Sequence, residues 1–209
     1  MATPEMVDSD YLNIYPQILE VSDRLEKHLK ATVQYERIDQ IVVRAKGLES
    51  FSVKARKGIE SGKPKYLHPI SDIHDQIGAR IVCYYLSDVR AIERQLSKWF
   101  RHIERLDKSK ERGEKEFGYE GVHYIFALPD EVFASDNQKR QLPKVFELQI
   151  KTLFQHAWAQ AEHDITYKSV GSWTLREKRQ IAFSAAQSWG ADQVFEQMNR
   201  KLTKRREPS

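Results

Sequence analysis

Between Lys144 and Lys151 the chain alternates without a break, with Val145, Glu147, Gln149 and Lys151 on one parity and Phe146, Leu148 and Ile150 on the other. Successive side chains of a strand point to opposite faces, so this segment belongs to a sheet with one face in a core and the other turned outward. Ile38 to Lys46, Arg80 to Leu86, Ile103 to Leu106 and Gly121 to Leu128 complete a predicted strand set. Between them run helical patterns. Ile18, Val21, Leu25 and Leu29 recur at helical spacing over residues 16–33, with Pro16 expected near the start, where its missing N–H costs little. Glu49 to Ser61 reads as a helix stopped by Gly62 and Pro64. Ser87 and Asp88 are expected to cap a helix carrying Val89, Ile92, Leu96 and Trp99. A further helix runs from Thr152 to about Tyr167. Another starts at Thr174, which has capping-box spacing to Glu177, and is expected to break at Gly190. Strands and helices interleaved in this way predict an α+β fold, a mixed sheet flanked by helices.

No internal repeat or low-complexity linker divides the 209 residues, and 40% hydrophobic residues are enough to bury a core. The single cysteine, Cys83, lies in an apolar run and reads as a core thiol, which leaves no disulfide framework. No apolar run approaches the ~20 residues of a membrane span, so a cytoplasmic protein with no membrane partner is expected.

Chemistry concentrates in two places. In the first, strand alternation puts Val42, Arg44 and Lys46 on one face. Ser50 and Lys54 follow on one side of a helix near its N-terminus, where free N–H groups favour an anion. Asp75, Gly78 and Arg80 come next. A Lys/Arg-rich run alone marks a solvated surface as readily as a site. Cations, a hydroxyl and a carboxylate together suit a nucleotide polyphosphate. In the second place, Glu147 and Gln149 look out from their strand, and the helix that follows carries His156, Trp158, Glu162 and His163. Between the two lies Gly118-Tyr119-Glu120-Gly121-Val122-His123, whose glycines permit a tight turn that leaves Tyr119 free to stack on a purine. The loop from Lys108 to Gly118 is charged, and its Lys108, Lys110, Arg112 and Lys115, with the basic tail Lys201, Lys204, Arg205 and Arg206, could meet phosphates.

Better-known motifs fail on inspection. Gly58 to Pro64 has three residues between its glycines, and Pro64 where Ser or Thr must follow the lysine, so it is no P-loop. His156 and His163 lack the HExxH spacing of a zinc hydrolase, and no GxSxG is present.

Taken in order, Arg44-x-Lys46-x3-Ser50-x3-Lys54, Asp75-x2-Gly78-x-Arg80, Gly118-Tyr119-x3-His123, Glu147-x-Gln149-Ile150-Lys151-Thr152 and His156-Ala157-Trp158 through Glu162-His163 to Tyr167-Lys168 resemble the RelA/SpoT-type alarmone, or (p)ppGpp, synthetase domain. The resemblance covers about residues 35–170. Gly121 stands where Ser is usual and Lys151 where Arg is usual, and Lys for Arg loses a bidentate fork. The resemblance implies a nucleotidyltransferase-like fold that moves the β,γ-pyrophosphate of ATP to the 3'-hydroxyl of GDP or GTP and releases AMP. By position, Arg44 and Arg80 would flank the adenine, and Lys46, Ser50 and Lys54 would hold the ATP phosphates. Asp75 would bind Mg2+, and Glu147 would share that ion or take the proton of the attacking 3'-hydroxyl. Tyr119, His123, Gln149 and Lys151 would form the acceptor side. The expected organisation is a helical extension over 1–34, the synthetase domain over 35–170, and a helical extension with the basic tail over 171–209. Long members of the family carry a hydrolase domain, for which this chain has no room, so a small synthetase-only member is expected, and restraint by expression, by a homo-oligomer or by a neutralising antitoxin is compatible with the sequence. Two alternatives keep the chemistry but change the acceptor, to the 3' end of tRNA or to an adenine nucleotide giving ppApp-type products. A third is an inactive nucleotide- or RNA-binding module, which would lack one of the two carboxylates.

Overall fold

The computed structural model describes residues 4–58, 62–107, 118–119, 121–168 and 172–206. Along the chain run α1 (Pro4–Thr32), β1 (Ile38–Ala45), α2 (Leu48–Ala55), α3 (Pro69–Asp72), β2 (Ile77–Cys83), α4 (Leu86–Trp99), β3 (His102–Asp107), β4 (Val122–Ala127), α5 (Asp136–Gln141), β5 (Val145–Thr152), α6 (Leu153–Lys168) and α7 (Leu175–Arg206). The strands form one mixed sheet in the order β1-β2-β5-β4-β3. Among the described residues only the β2–β5 pairing is parallel. The α+β architecture expected from the interleaved patterns is therefore the one found.

Alternation decides which face is which. Phe146, Leu148 and Ile150 of β5 join Ala79 and Ile81 of β2 and Tyr124 and Phe126 of β4 in one buried cluster. Phe126 stacks on Phe146 at 5.7 Å, and Phe100 meets both rings. Ile18, Val21, Leu25 and Leu29 of α1 are fully buried in the same cluster, so α1 is a layer of the core. The opposite face carries two cross-strand rows. Val42, Arg80, Gln149 and His123 pair across β1, β2, β5 and β4 in one row, and Arg44, Gly78, Glu147 and Ile125 in the next.

Several local expectations are corrected. Helix α1 starts at Pro4, so Pro16 lies inside it, carried by the packing of a long apolar stripe. Helix α2 ends at Ala55 and a turn follows, while residues 59–61 of the Gly58–Pro64 segment lie outside the described residues. Strand β2 covers Ile77–Cys83, and α4 begins at Leu86. Asp88 caps α4 from inside its first turn, accepting the Tyr85 N–H at 3.0 Å, in place of the expected cap at Ser87 and Asp88. Gly190 does not break α7, and the described basic residues Lys201, Lys204 and Arg205 lie on its last turns rather than in a tail. Thr174 and Glu177 form the expected capping box, with the Glu177 N–H donating to Thr174 Oγ1 at 3.3 Å and the Thr174 N–H to Glu177 Oε2 at 2.8 Å. Residues 108–117, including Lys108, Lys110, Arg112 and Lys115, lie outside the described residues.

Glu196 ties α7 to the body. It is buried, accepts the Ser87 N–H at 2.9 Å and pairs with Arg200 at 2.6 Å. Burial opposes its charge, but the Ser87 and Arg200 hydrogen bonds outweigh it and hold the carboxyl below the ordinary glutamate range. A carboxyl depressed by folding binds fewer protons in the native state, so its contribution is present above the unfolded-state value of about 4.3 and is lost as pH falls through the lower folded value. Glu196→Gln is therefore expected to cost about 1–2 kcal/mol at pH 7, with melting temperatures of the two proteins converging below about pH 4. A gap unchanged down to pH 3 would show that charge has no part in the contact.

Candidate functional site

A cleft of about 520 Å³ opens on the polar face of β1, β2 and β5 and is roofed by α6. Its floor is the cross-strand rows, with Arg44, Gly78, Arg80, Glu147 and Gln149 among the lining side chains. At one end stands Asp75, on a 3₁₀ turn (His74–Gln76) that leads into β2. The turn is pinned from below. Buried Gln76 donates Nε2 to the carbonyls of Ile70 at 2.7 Å and Ile73 at 2.9 Å, and the Lys46 N–H donates to the Gln76 carbonyl at 2.8 Å.

Helix α2 brings Ser50 and Lys54 to the same end. It is held on α1 by the stacked pair Tyr11–Phe51, 3.8 Å between centroids, and by Ser52 Oγ donating to Asp8 at 2.5 Å. Gly47 at its N-cap and Ser50 in its first turn line the cleft, so the uncapped N–H groups of the helix face it. Lys54 and Lys46 both pair with Asp75 Oδ2, at 2.7 and 3.1 Å. Burial works against the Asp75 charge, yet the two ammonium groups outweigh it and keep the carboxyl below its usual range. Oδ1 of Asp75 is buried without a hydrogen-bonding partner among the described residues. Buried polar atoms are nearly always paired, so this oxygen marks a place for a ligand.

Glu147 is the second carboxylate. His123 Nδ1 donates to its Oε1 at 2.7 Å, and His123 is itself buried, with Nε2 unpaired among the described residues. Burial raises the Glu147 carboxyl and nearby Asp75 adds to that, but the His123 hydrogen bond, with help from Lys54, brings it below the ordinary value. Both carboxylates are thus held ionised and close enough to repel each other. At the far end Arg80 donates Nη1 to His156 Nδ1 at 3.3 Å and to Gln160 Oε1 at 3.2 Å. Burial and the neighbouring Arg44 lower the Arg80 guanidinium, and burial followed by Arg80 lowers His156, consistent with a neutral imidazole accepting the bond.

The structure brings Arg44, Lys46, Ser50, Asp75, Arg80, Glu147 and Gln149 together around the cleft, with Lys54 bonded at its edge. His123 stands behind Glu147. Lys151 is buried, its stem against Gly121. Tyr119 corrects an expectation. It is 4% exposed, stays out of the cleft lining, and donates its hydroxyl to Asp192 of α7, so its ring is packed away instead of offered for stacking. Two polar side chains of the lining were missed. Gln160 sits one turn after His156 on α6, and Gln40 shares strand parity with Arg44. Both periodicities were readable, but glutamine gives no chemical signal of its own.

Gly121 is held hard against β5. A Cβ built there would lie 2.2 Å from the Ile150 carbonyl oxygen and 2.7 Å from Lys151 Cγ. A backbone atom cannot rotate away, so Gly121→Ser is expected to destabilise by at least about 1–3 kcal/mol in chemical denaturation. Wild-type stability in that variant would mean that the segment before β4 moves freely off β5.

Residues 43–172 match the family model described as a region found in RelA/SpoT proteins. The GTP pyrophosphokinase YjbM of Bacillus subtilis is 28% identical over 195 residues, covering 90% of this chain and 85% of that protein. Among solved structures, small alarmone synthetase 1 from Bacillus subtilis superposes with a TM-score of 0.72 at 21% identity, over 93% of this chain and 96% of that one. The same enzyme bound to its product pppGpp gives a TM-score of 0.71 at 22% identity, over 88% and 93% of the two chains. At these identities the superpositions establish a shared fold.

Proposed function

This chain belongs to the RelA/SpoT family, and from that premise we propose that it transfers the β,γ-pyrophosphate of ATP to the 3'-hydroxyl of GDP or GTP, making (p)ppGpp and AMP. The observation that carries the reading is the pair of ionised carboxylates, Asp75 and Glu147, in a cleft with Lys46, Lys54, Arg44 and Arg80 around them. The kinship to a named GTP pyrophosphokinase supports it.

The donor oxygens suit Mg2+. Asp75 Oδ1 is unpaired among the described residues, Glu147 is the second carboxylate, and hard oxygens are what this ion takes, with water and substrate phosphates completing its shell. When bound, Mg2+ would neutralise charge building on the transferred phosphates. The protein's own groups do the rest. Arg44 and Arg80 present guanidinium planes from adjacent strands to the adenine. Lys46 and Lys54 exchange Asp75 Oδ2 for phosphate oxygens, and Ser50 with the α2 N-terminus adds hydrogen-bond donors. Glu147, aimed by His123, accepts the proton of the 3'-hydroxyl as its oxygen bonds to the β-phosphorus and the bond to the AMP oxygen breaks. Gln149, beside Arg80 in the cross-strand row, orders the acceptor. Alignment and charge neutralisation suffice for such a transfer, with no covalent intermediate.

The test is incubation with Mg2+ and γ-labelled ATP, offering GDP, GTP, ATP and deacylated tRNA in parallel. Label on a guanine nucleotide with release of AMP is expected. Label on tRNA alone would replace the acceptor and direct attention to a neutralising partner, and no label anywhere would leave a binding module.

A further inference from the structure

Asp192 is a buried carboxylate that the proposed reaction leaves unused. It lies on α7, outside the residues that match the family model, and is 1% exposed. Its Oδ2 accepts from Thr152 Oγ1 at 2.5 Å and from the Tyr119 hydroxyl, while Oδ1 has no partner among the described residues. The Thr152 hydroxyl has a fixed direction. It accepts the Gln155 N–H at 3.1 Å, which leaves its own proton for Asp192, and the Thr152 N–H is taken by Gln155 Oε1 at 2.9 Å. Asp192 is thereby anchored to the corner where β5, the strand of Glu147 and Gln149, turns into α6. Tyr119 supplies the other donor, through its single hydroxyl, from the residues just before β4.

We propose that Asp192 is a positioning residue for the acceptor site, holding Tyr119 off the cleft by its hydroxyl, so that an acceptor base gains the Tyr119 ring only by breaking that bond. The proposal rests on the reading of Tyr119 as the stacking surface for the acceptor. Burying a carboxylate with one oxygen unpaired is costly, and the two hydroxyl donors offset that cost only in part. The arrangement is therefore one that a purine ring can displace. While it lasts, only a fraction of molecules is competent for the acceptor, and the apparent affinity falls by that fraction.

Tyr119→Phe keeps the ring and removes the bond. It is expected to lower the KM for the guanine acceptor about tenfold while the KM for ATP stays put, since a hydrogen bond to a charged group is of that strength. Asp192→Asn, which weakens the same bond from the other side, is expected to shift the acceptor KM in the same direction, and Tyr119→Ala to raise it. Calorimetric titration of GDP into each protein should give the same order of affinities without turnover. An acceptor KM that is unchanged or raised in Tyr119→Phe overturns the proposal, and this variant leaves the buried carboxylate in place should Asp192→Asn fold poorly. An unchanged acceptor KM in Tyr119→Ala would overturn it through its premise. Release of AMP by the wild-type protein reports separately on the reaction, so loss of that signal would instead sink the functional reading.

Discussion

Asp75→Asn is expected to lower acceptor-dependent AMP release by on the order of 100-fold or more while leaving the KM for ATP nearly unchanged. The magnitude follows from about 3 kcal/mol for a charge that acts in the transition state of a phosphoryl-type transfer. The split between rate and binding follows from the geometry. Lys46 and Lys54 now pair with Asp75 Oδ2 at 3.1 and 2.7 Å, and an amide oxygen would hold them less strongly. Freed ammonium groups remain available to ATP phosphates, so binding of the donor should persist while turnover fails. Glu147→Gln should cost a comparable factor for a different reason, because an amide cannot take the hydroxyl proton. Single-turnover AMP release beside an ATP titration separates the two. An Asp75→Asn protein that weakens ATP binding tenfold while keeping its rate would show that Asp75 organises the phosphate cations and has no part in the chemistry.

The second large effect is on stability. Asp88 is fully buried, and its carboxylate takes Arg37 Nη2 at 2.6 Å, Arg37 Nε at 3.0 Å, the Tyr35 hydroxyl at 2.8 Å and the Tyr85 N–H at 3.0 Å. Burial and Asp88 push the Tyr35 hydroxyl up to about 12, so it stays a donor at every working pH. Four donors on one carboxylate join the chain before β1 to the first turn of α4. Asp88→Ala removes the acceptor of the Tyr35 hydroxyl and the Tyr85 N–H and leaves Arg37 its Nη2 bond to the Tyr35 oxygen at 2.7 Å, and breaking a buried pair in this way costs about 3–5 kcal/mol. The lower part of that range is expected, because the Arg37 side chain is 34% exposed and water can recover part of its charge. Urea denaturation measures the loss directly. A loss below about 1 kcal/mol would mean that the guanidinium and the hydroxyl find water as good a partner as the carboxylate.

The strands were legible because their periodicity is strict. In β5 every second residue from Phe146 to Ile150 is apolar, and β1 places Arg44 two residues from Val42 on the same face. The helix limits were less legible. Pro16 and Gly190 look like boundaries by local propensity, yet both lie inside long helices: the apolar stripe on either side of Pro16 is buried, and just beyond Gly190 the buried carboxylates Asp192 and Glu196 tie α7 to the body, so tertiary contacts outweigh one residue's preference. Asp88 reads as an N-cap by residue type, but its carboxylate acts from the third position of the helix because Arg37 and Tyr35 draw it inward.

Local pattern was enough to gather Arg44, Lys46, Ser50, Lys54, Asp75 and Arg80 around one cleft. Cations, carboxylates and strand parity are local properties, and a sheet with one polar face gathers them whatever the remaining loops do. The surroundings of Tyr119 and His123 came from long-range packing instead. Tyr119 between its glycines looks free to stack, but a carboxylate 73 residues away, on a helix beyond the matched region, accepts its hydroxyl. No periodicity encodes that contact, because it depends on where α7 crosses the β5–α6 corner. The pairing of His123 with Glu147 has the same origin, arising from the β4–β5 register and not from any spacing within either strand.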